Sequence, residues 1–299
     1  VFDTEKMIDI LIPTVAQGLL WALLALGVYI TFRVLDIADL SVEGSFPLGA
    51  AVAATALVNG YGMLIAFFLA AIAGALAGIV TGFFTTRLKI PALLAGILTM
   101  IGLYSVNLHV MGKANVALLR VDTIFSYAES FGMSATVAML TVGVVAAVFI
   151  GCLMYWFFGT EIGTAIRATG CNSQMARAQG VNTNRMIVLG LLISNALVAL
   201  SGALVAQSNG FADVGMGTGT IVIGLASVII GEVLFGTKSF KNCLISVILG
   251  SIVYRLVIAV VLQLGMPPND LKLFTALLVA LALSMPLIRE KWRERQRRA

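Results

Sequence analysis

Long apolar runs, separated by short polar connections, recur along the whole chain and constrain its fold more than any other feature. A helix of about 20 apolar residues crosses the roughly 30 Å hydrocarbon core of a bilayer. Only 11% of the residues are Asp, Glu, Lys or Arg, whereas soluble domains carry about 25%. The mean hydropathy is +1.03. These features exclude a water-soluble fold and predict an integral membrane protein.

We predict an all-α polytopic bundle of about nine transmembrane helices that forms a single membrane domain over residues 1–299. The second apolar run, residues 46–58, is only about 20 Å long at 1.5 Å per residue and cannot cross alone. The polar segment before it must complete the crossing, which predicts at least one discontinuous helix. The predicted spans are 8–32, 46–58, 63–86, 92–111, 133–158, 186–207, 218–235, 243–264 and 271–288.

The basic residues are unevenly divided between alternate connections. Cytoplasmic loops of membrane proteins carry an excess of Lys and Arg. We therefore predict that the N-terminus lies outside and that the C-terminus, including the basic tail 289–299, lies in the cytoplasm. The high pI is then explained by basic residues in the tail and loops on the cytoplasmic side of the membrane. It does not indicate a nucleic-acid partner. The cytoplasmic cations in the loops are then Arg33, Arg87, Lys89, Arg167, Arg177, Arg185, Lys238 and Lys241, against Lys6, Lys113, Arg120 and Lys272 outside.

The predicted cytoplasmic connection 161–185 carries the local signals of a short helix parallel to the membrane. Asn172 is a favourable N-cap, residues 173–179 supply about two turns, and Gly180 suits the position after a helix. Asn182 or Thr183 can cap the next crossing. Such a helix suits docking to a soluble partner. The same pattern fits equally well an amphipathic connector that binds no partner.

The same connection, EIGTAIRATGCNSQMARAQGVNTNR, resembles the cytoplasmic coupling segment of ABC importer permeases of the branched-chain amino acid and ribose permease superfamily. Residues 33–51, 88–100 and 217–240 resemble further blocks of this superfamily in the expected order, nearest to its tryptophan and tyrosine permease branch. The matching positions are Gly163, Ala165, Ile166, Arg167, Ala168, Thr169, Gly170, Asn172, Ala176, Arg177, Gly180, Val181 and Asn182.

The resemblance implies the permease subunit of an importer for a small organic solute, such as an aromatic or branched-chain amino acid. The implied partners are a second copy or close paralogue, cytoplasmic ATPase subunits, an extracytoplasmic solute-binding lipoprotein and the surrounding lipid. ATP and Mg would be bound by the ATPase, so no cofactor is expected in this chain. The residues expected to couple to the ATPase are Arg167, Gly170, Asn172, Met175, Ala176, Arg177 and Gly180.

Polar residues at membrane depth are functional candidates, because an unpaired charge there costs several kcal/mol. The segment before the short second span cannot face lipid and is predicted to line a pathway. A plain cytoplasmic loop with solvated acids is the alternative. Asparagines in the fourth and sixth spans are milder candidates. The predicted pathway residues are Asp36, Asp39, Ser41, Glu43, Gly44, Asn107 and Asn195.

Two intramembrane charges, Glu232 and Arg255, are predicted to pair and lock the seventh and eighth spans together. The alternative is that Arg255 meets a substrate carboxylate while Glu232 serves the ATPase side. Glycines recur every fourth residue at Gly74, Gly78 and Gly82, which predicts close approach of another helix.

The residue content argues against an enzyme. One histidine and three scattered cysteines form no metal-ligand spacing or catalytic cluster. The run GEVLFGTKS, residues 231–239, has an extra Thr237 before Lys238 and so departs from a P-loop. A secondary transporter or channel without an ATPase is the alternative function.

Overall fold

The computed structural model describes residues 4–298, which form a bundle of twelve helices and one two-stranded ribbon. The helices before the ribbon's first strand are α1 (Thr4–Tyr29), which continues as a π-helical turn (Ile30–Val34), α2 (Val42–Val58), α3 (Met63–Thr86) and α4 (Ala92–Met111). After strand β1 (Asn115–Ala117) come α5 (Ile124–Glu129), α6 (Ala135–Phe158), α7 (Glu161–Cys171), α8 (Ser173–Ala178) and α9 (Thr183–Asn209). Strand β2 (Phe211–Asp213) precedes α10 (Thr220–Phe235), α11 (Phe240–Gln263), a 3₁₀ turn (Pro268–Asp270) and α12 (Leu271–Arg298).

Seven helices within residues 4–298 are long and apolar enough to cross a membrane, namely α1 with its π-helical turn, α3, α4, α6, α9, α11 and α12. The other two predicted spans are the shorter apolar helices α2 and α10, of 17 and 16 residues. The polytopic helical prediction is therefore confirmed, and nine complete crossings stay a prediction. The basic tail is helical, because α12 continues to Arg298.

Strands β1 and β2 pair antiparallel and depart from a purely helical architecture. They join the connection after α4 to the connection after α9 at one end of the bundle. We call this the ribbon end. Helices α7 and α8 lie where α1 ends and α9 begins, at the opposite end, which we call the coupling end.

Two sets of four helices, α1–α4 and α9–α12, share one arrangement. In each set a long helix is followed by an irregular segment, a short helix and two long helices. Helices α2 and α3 pack on α9, and correspondingly α10 and α11 pack on α1. Since α1 ends and α9 begins at the coupling end, the two sets run in opposite directions. This is the inverted repeat found in many membrane transporters.

The glycine stripe of α3 lies directly against α9, as predicted from its spacing. A β-carbon at Gly74 would lie 2.5 Å from the β-carbon of Ala199, and one at Gly82 would lie 2.9 Å from the Val188 side chain. At Gly78 a β-carbon would overlap the α9 backbone. The absence of side chains therefore allows these backbones to approach closely.

Candidate functional site

The chain is non-helical from Leu35 to Ser41, and this break lies inside the bundle. Helix α2 begins at Val42 beside Asn195, which lies roughly 18 Å along α9 from the coupling end at 1.5 Å per residue. Helix α2 therefore covers only the half of the bundle nearer the ribbon end. The irregular segment extends through the other half of the bundle, which α2 does not reach. The short second span therefore begins at a break in the middle of the bundle.

Four polar residues at the break, which we call the Asp39 cluster, satisfy one another. They are Asp39, Ser41, Ser45 and Asn195, each at most 3% exposed. The Asn195 amide donates to Asp39 Oδ2 at 3.2 Å and accepts from the hydroxyls of Ser41, at 3.1 Å, and Ser45. The Ser41 N–H donates to Asp39 Oδ1 at 3.0 Å, and the single proton of the Ser41 hydroxyl is shared between this oxygen and the Asn195 amide oxygen. Buried polar groups need such partners, so the cluster stabilises the break.

Ser45 was not among the predicted site residues. Its position four residues after Ser41 was the available signal, since residues i and i+4 share one helix face. The Ser45 hydroxyl also lies 3.1 Å from the Ser41 carbonyl oxygen, to which it can donate.

A second irregular segment, between β2 and α10, packs against the start of α2. A β-carbon at Gly217 would overlap the carbonyl oxygen of Glu43 and lie 2.5 Å from the Pro47 ring. The half-buried Glu43 carboxyl approaches the backbone N–H of Gly219, whose φ of 80° places it in the left-handed region that glycine favours. The starts of the two short helices thus meet inside the bundle.

The remaining predicted pathway residues divide into two groups. Gly44 and Asn107 come together, because the Asn107 amide donates to the Gly44 carbonyl at 3.4 Å. A β-carbon at Gly44 would lie 2.9 Å from Leu103, so α4 closes over the start of α2. Asp36 lies apart from both sets: it is exposed and has a φ of 55°.

The predicted ion pair between Glu232 and Arg255 is wrong. Glu232 pairs with Arg33 at 2.8 Å near the coupling end. The Arg255 guanidinium lies over the ring of Trp21, 4.4 Å from its centroid, and its Nε has no hydrogen-bond partner among residues 4–298. Helices α10 and α11 are adjacent, but Arg255 lies roughly 18 Å farther from the coupling end than Glu232 at 1.5 Å per residue.

The connection 161–185 forms two helices, α7 and α8, where one was predicted. The Asn172 side chain caps α8 by accepting from the Met175 N–H at 3.1 Å. Asn182 caps α9 by accepting from the Arg185 N–H at 3.3 Å. Gly180 has a φ of 88°, as its predicted place after α8 requires. The capping predictions are confirmed.

The side chains of α7 and α8 face in two directions. Arg167, Met175 and Arg177 are exposed, as the docking hypothesis expects. Ala176, also expected to couple to the ATPase, is only 3% exposed, so its side chain is not on the exposed face of α8. It lies on the face of α8 that packs against the protein.

Gly170 is an internal contact between α7 and the chain just before the break. A β-carbon there would overlap the Val34 carbonyl oxygen and lie 3.0 Å from the Leu35 α-carbon. The close approach therefore requires a residue without a side chain. Helix α7 connects the exposed face of the coupling end to the start of the break.

Three comparisons with known proteins agree in class. The family model described as "Branched-chain amino acid transport system / permease component" matches residues 10–283. A tyrosine transport system permease protein of Clostridioides difficile is 41% identical over 270 residues, covering 90% of this chain and 88% of the relative. An uncharacterised protein of Rickettsia prowazekii is 33% identical over 285 residues, covering 92% and 97%.

More distant matches extend the comparison to other transport systems. An autoinducer 2 import system permease of Yersinia pseudotuberculosis is 30% identical over 182 residues, covering 60% of this chain and 50% of the relative. A solved ABC transporter assigned to the metal-chelate type, in an inward-facing conformation, shares the fold with a TM-score of 0.50 and 15% identity. The superposition covers 97% of this chain and 90% of that chain.

The resemblance in the connection 161–185 is therefore confirmed by a match that extends over nearly the whole chain. Helices α2 to α11, the break and the helices of the coupling end, α7 and α8, all lie within the matched residues. This chain belongs to the permease-component family of branched-chain amino acid transport systems, which are the membrane subunits of ABC transporters.

Proposed function

We propose that this chain is the translocation subunit of an ABC importer for a small organic solute, with an aromatic or branched-chain amino acid as the first candidate. The family match and the tyrosine permease relative support the solute class. A second copy or a close paralogue would complete the pathway. A lipoprotein outside the membrane would deliver the solute, and a separate ATPase, which binds ATP and Mg, would drive its passage.

The break in the middle of the bundle is the observation that carries this proposal. Irregular backbone at membrane depth is tolerated only where protein buries it or where it lines a water-filled cavity. The Asp39 cluster is fully buried and holds the backbone, whereas Glu43 is only half-buried. Transporters commonly place their solute sites at such discontinuous helices.

The pathway residues therefore have different proposed roles. Asp39, Ser41 and Asn195 position the break, and Glu43 presents its carboxyl to the solute. Gly44 and Asn107 form the adjoining wall on the α4 side. Two copies around an axis would double the acidic character. Such a site favours cationic or zwitterionic solutes over anions.

Coupling to the ATPase is proposed for the exposed face of α7 and α8. Met175 and Arg177 offer their side chains there, while Asn172 and Gly180 shape the two ends of α8. Arg167, also exposed, lies over Phe240 at the start of α11. Movement of α7 would reach the break directly, because Gly170 rests on the backbone of Val34. With the coupling end in the cytoplasm, the orientation is N-terminus out and C-terminus in, within a bacterial-type inner membrane.

Reconstituted transport tests the proposal. Proteoliposomes would contain the permease and its ATPase, with the binding protein and labelled tyrosine added outside and ATP enclosed. We expect uptake that requires both the binding protein and hydrolysable ATP. Unlabelled phenylalanine, tryptophan, leucine and isoleucine would be compared as competitors to define the solute class.

A second liposome preparation distinguishes the importer from a secondary transporter or channel. It contains the permease alone under a proton or sodium gradient. Uptake in these liposomes at the rate of the complete system would overturn the proposal. A complete system that hydrolyses ATP but moves none of the amino acids would reject the solute class and retain the importer.

A further inference from the structure

A basic groove lies at the coupling end, where α6 ends and α11 begins. Two adjoining cavities form it, of about 580 and 350 Å³. They share Arg167, Ser239 and Phe240 in their walls. The larger cavity also reaches Trp156 and Lys241, and the smaller one reaches Lys238 and Arg33. We call this pair of cavities the headgroup groove.

Three cations of this groove have no carboxylate within 4.0 Å among residues 4–298: Arg167, Lys238 and Lys241. Arg33 differs, because Glu232 pairs with it at 2.8 Å. The Arg167 guanidinium lies over the Phe240 ring, with its central carbon 4.6 Å from the ring centroid. This cation–π contact holds the guanidinium in the groove, and its N–H groups can still donate to an anion.

The start of α11 adds donors to the same place. Ser239 caps this 24-residue helix by accepting from the Asn242 N–H at 3.2 Å. The first N–H groups of a helix have no partner within it, and the dipole there favours a negative charge. The groove therefore combines three cations without a carboxylate partner, a helix start and the Ser239 hydroxyl, which is the chemistry of a phosphate site.

The depth of the groove points to a lipid as the source of the phosphate. Helices α6 and α11 are both long and apolar enough to span the membrane, and the groove lies where they end. Tyr155 and Trp156, in the last turn of α6, are 53% and 65% exposed. Exposed Trp and Tyr at span ends mark the headgroup layer. Basic pockets between transmembrane helices bind acidic headgroups.

We propose that the headgroup groove binds the phosphate of an anionic phospholipid. The lipid bridges α7 and the start of α11 through Arg167, Lys238 and Lys241. Because Arg167 belongs to α7, the bound lipid also braces the helix that rests on the break. The occupant is a bilayer lipid and not a soluble anion or an acidic surface of the ATPase.

Native mass spectrometry of the purified full-length permease tests this site. The delipidated protein is titrated with phosphatidylglycerol and, separately, with phosphatidylcholine. We expect phosphatidylglycerol to be retained in preference. Each lysine near an anionic lipid contributes about fivefold to affinity, so Lys238→Gln with Lys241→Gln should weaken retention about 25-fold. Both lysines are exposed, so the fold should be unaffected.

Two further variants sharpen the result. Lys241→Arg keeps the charge and should retain the lipid, whereas Lys113→Gln at the ribbon end should change nothing. Displacement of the lipid by millimolar inorganic phosphate would show a soluble-anion site and overturn the proposal. Equal retention of both lipids would overturn it as well. So would a double variant that keeps its phosphatidylglycerol but fails to assemble with the ATPase.

Discussion

Replacing Asn195 by alanine is the most direct test of the break. Its side chain donates to Asp39 Oδ2 at 3.2 Å and to the Leu191 carbonyl at 2.8 Å, and it accepts from the hydroxyls of Ser41 and Ser45. In Asn195→Ala all four hydrogen bonds are lost. The Asp39 oxygen then remains buried without this donor.

The structure sets the size of the effect. A buried group left without its partner costs about 1–3 kcal/mol and an ordinary hydrogen bond contributes about 1 kcal/mol, so we expect a loss of about 3 kcal/mol. Ser201→Ala, on the same helix, removes one hydrogen bond to the Leu20 carbonyl at 2.9 Å and is the matched control. It should cost about 1 kcal/mol.

Thermal unfolding in detergent, followed by size-exclusion chromatography with fluorescence detection, measures both variants. At about 2–4 °C per kcal/mol, Asn195→Ala should lower the Tm by about 6–12 °C and Ser201→Ala by about 2–4 °C. Exchange of the pair, Asp39→Asn with Asn195→Asp, restores a donor facing an acceptor and should recover part of the loss. Equal Tm values for the two alanine variants, with equal transport, would refute the positioning role of Asn195.

Four other variants test the pathway, the coupling surface and the orientation. Asp39→Asn, at the break, and Glu43→Gln, at the proposed pathway, should each lower amino acid uptake at least severalfold while membrane expression is kept. Unchanged uptake in Glu43→Gln would refute the acidic pathway, and unchanged uptake in Asp39→Asn would refute the positioning role of Asp39. Met175→Glu places a charge on the exposed face of α8, where Met175 is 58% exposed, and should reduce co-purification of the ATPase without lowering the Tm. If the ATPase binds this variant normally, α8 is not the docking surface. Arg295→Cys should react with a membrane-impermeant maleimide only from the cytoplasmic side, and labelling of intact cells would reverse the predicted orientation.

Much of the fold followed from local patterns in the sequence. Apolar length located the seven long helices and singled out α2 as too short. Side-chain capping is also a local interaction, so Asn172 and Asn182 correctly marked the starts of α8 and α9. The spacing of Gly74, Gly78 and Gly82 predicted a packed face, because residues four apart share one side of a helix.

Other features depended on residues far apart in the chain. Asp39 and Asn195 are separated by 156 positions and meet only because α9 packs against both α2 and α3. The predicted pairing of Glu232 with Arg255 was wrong for the same kind of reason. Adjacency of two helices does not fix the depth of each residue, and Arg33 lies at the depth of Glu232.

By itself, the sequence determined that this chain spans a membrane, where its helices lie and which family it resembles, since hydrophobic length, capping and motif spacing are properties of neighbouring residues. Only the tertiary structure decided that α2 and α10 begin beside each other inside the bundle. It also decided that Asp39 is buried while Glu43 is half-buried, and that Gly170 packs against the backbone of Val34. Burial and close approach are set by helices that are distant in sequence, and packing brings them together only in the folded chain.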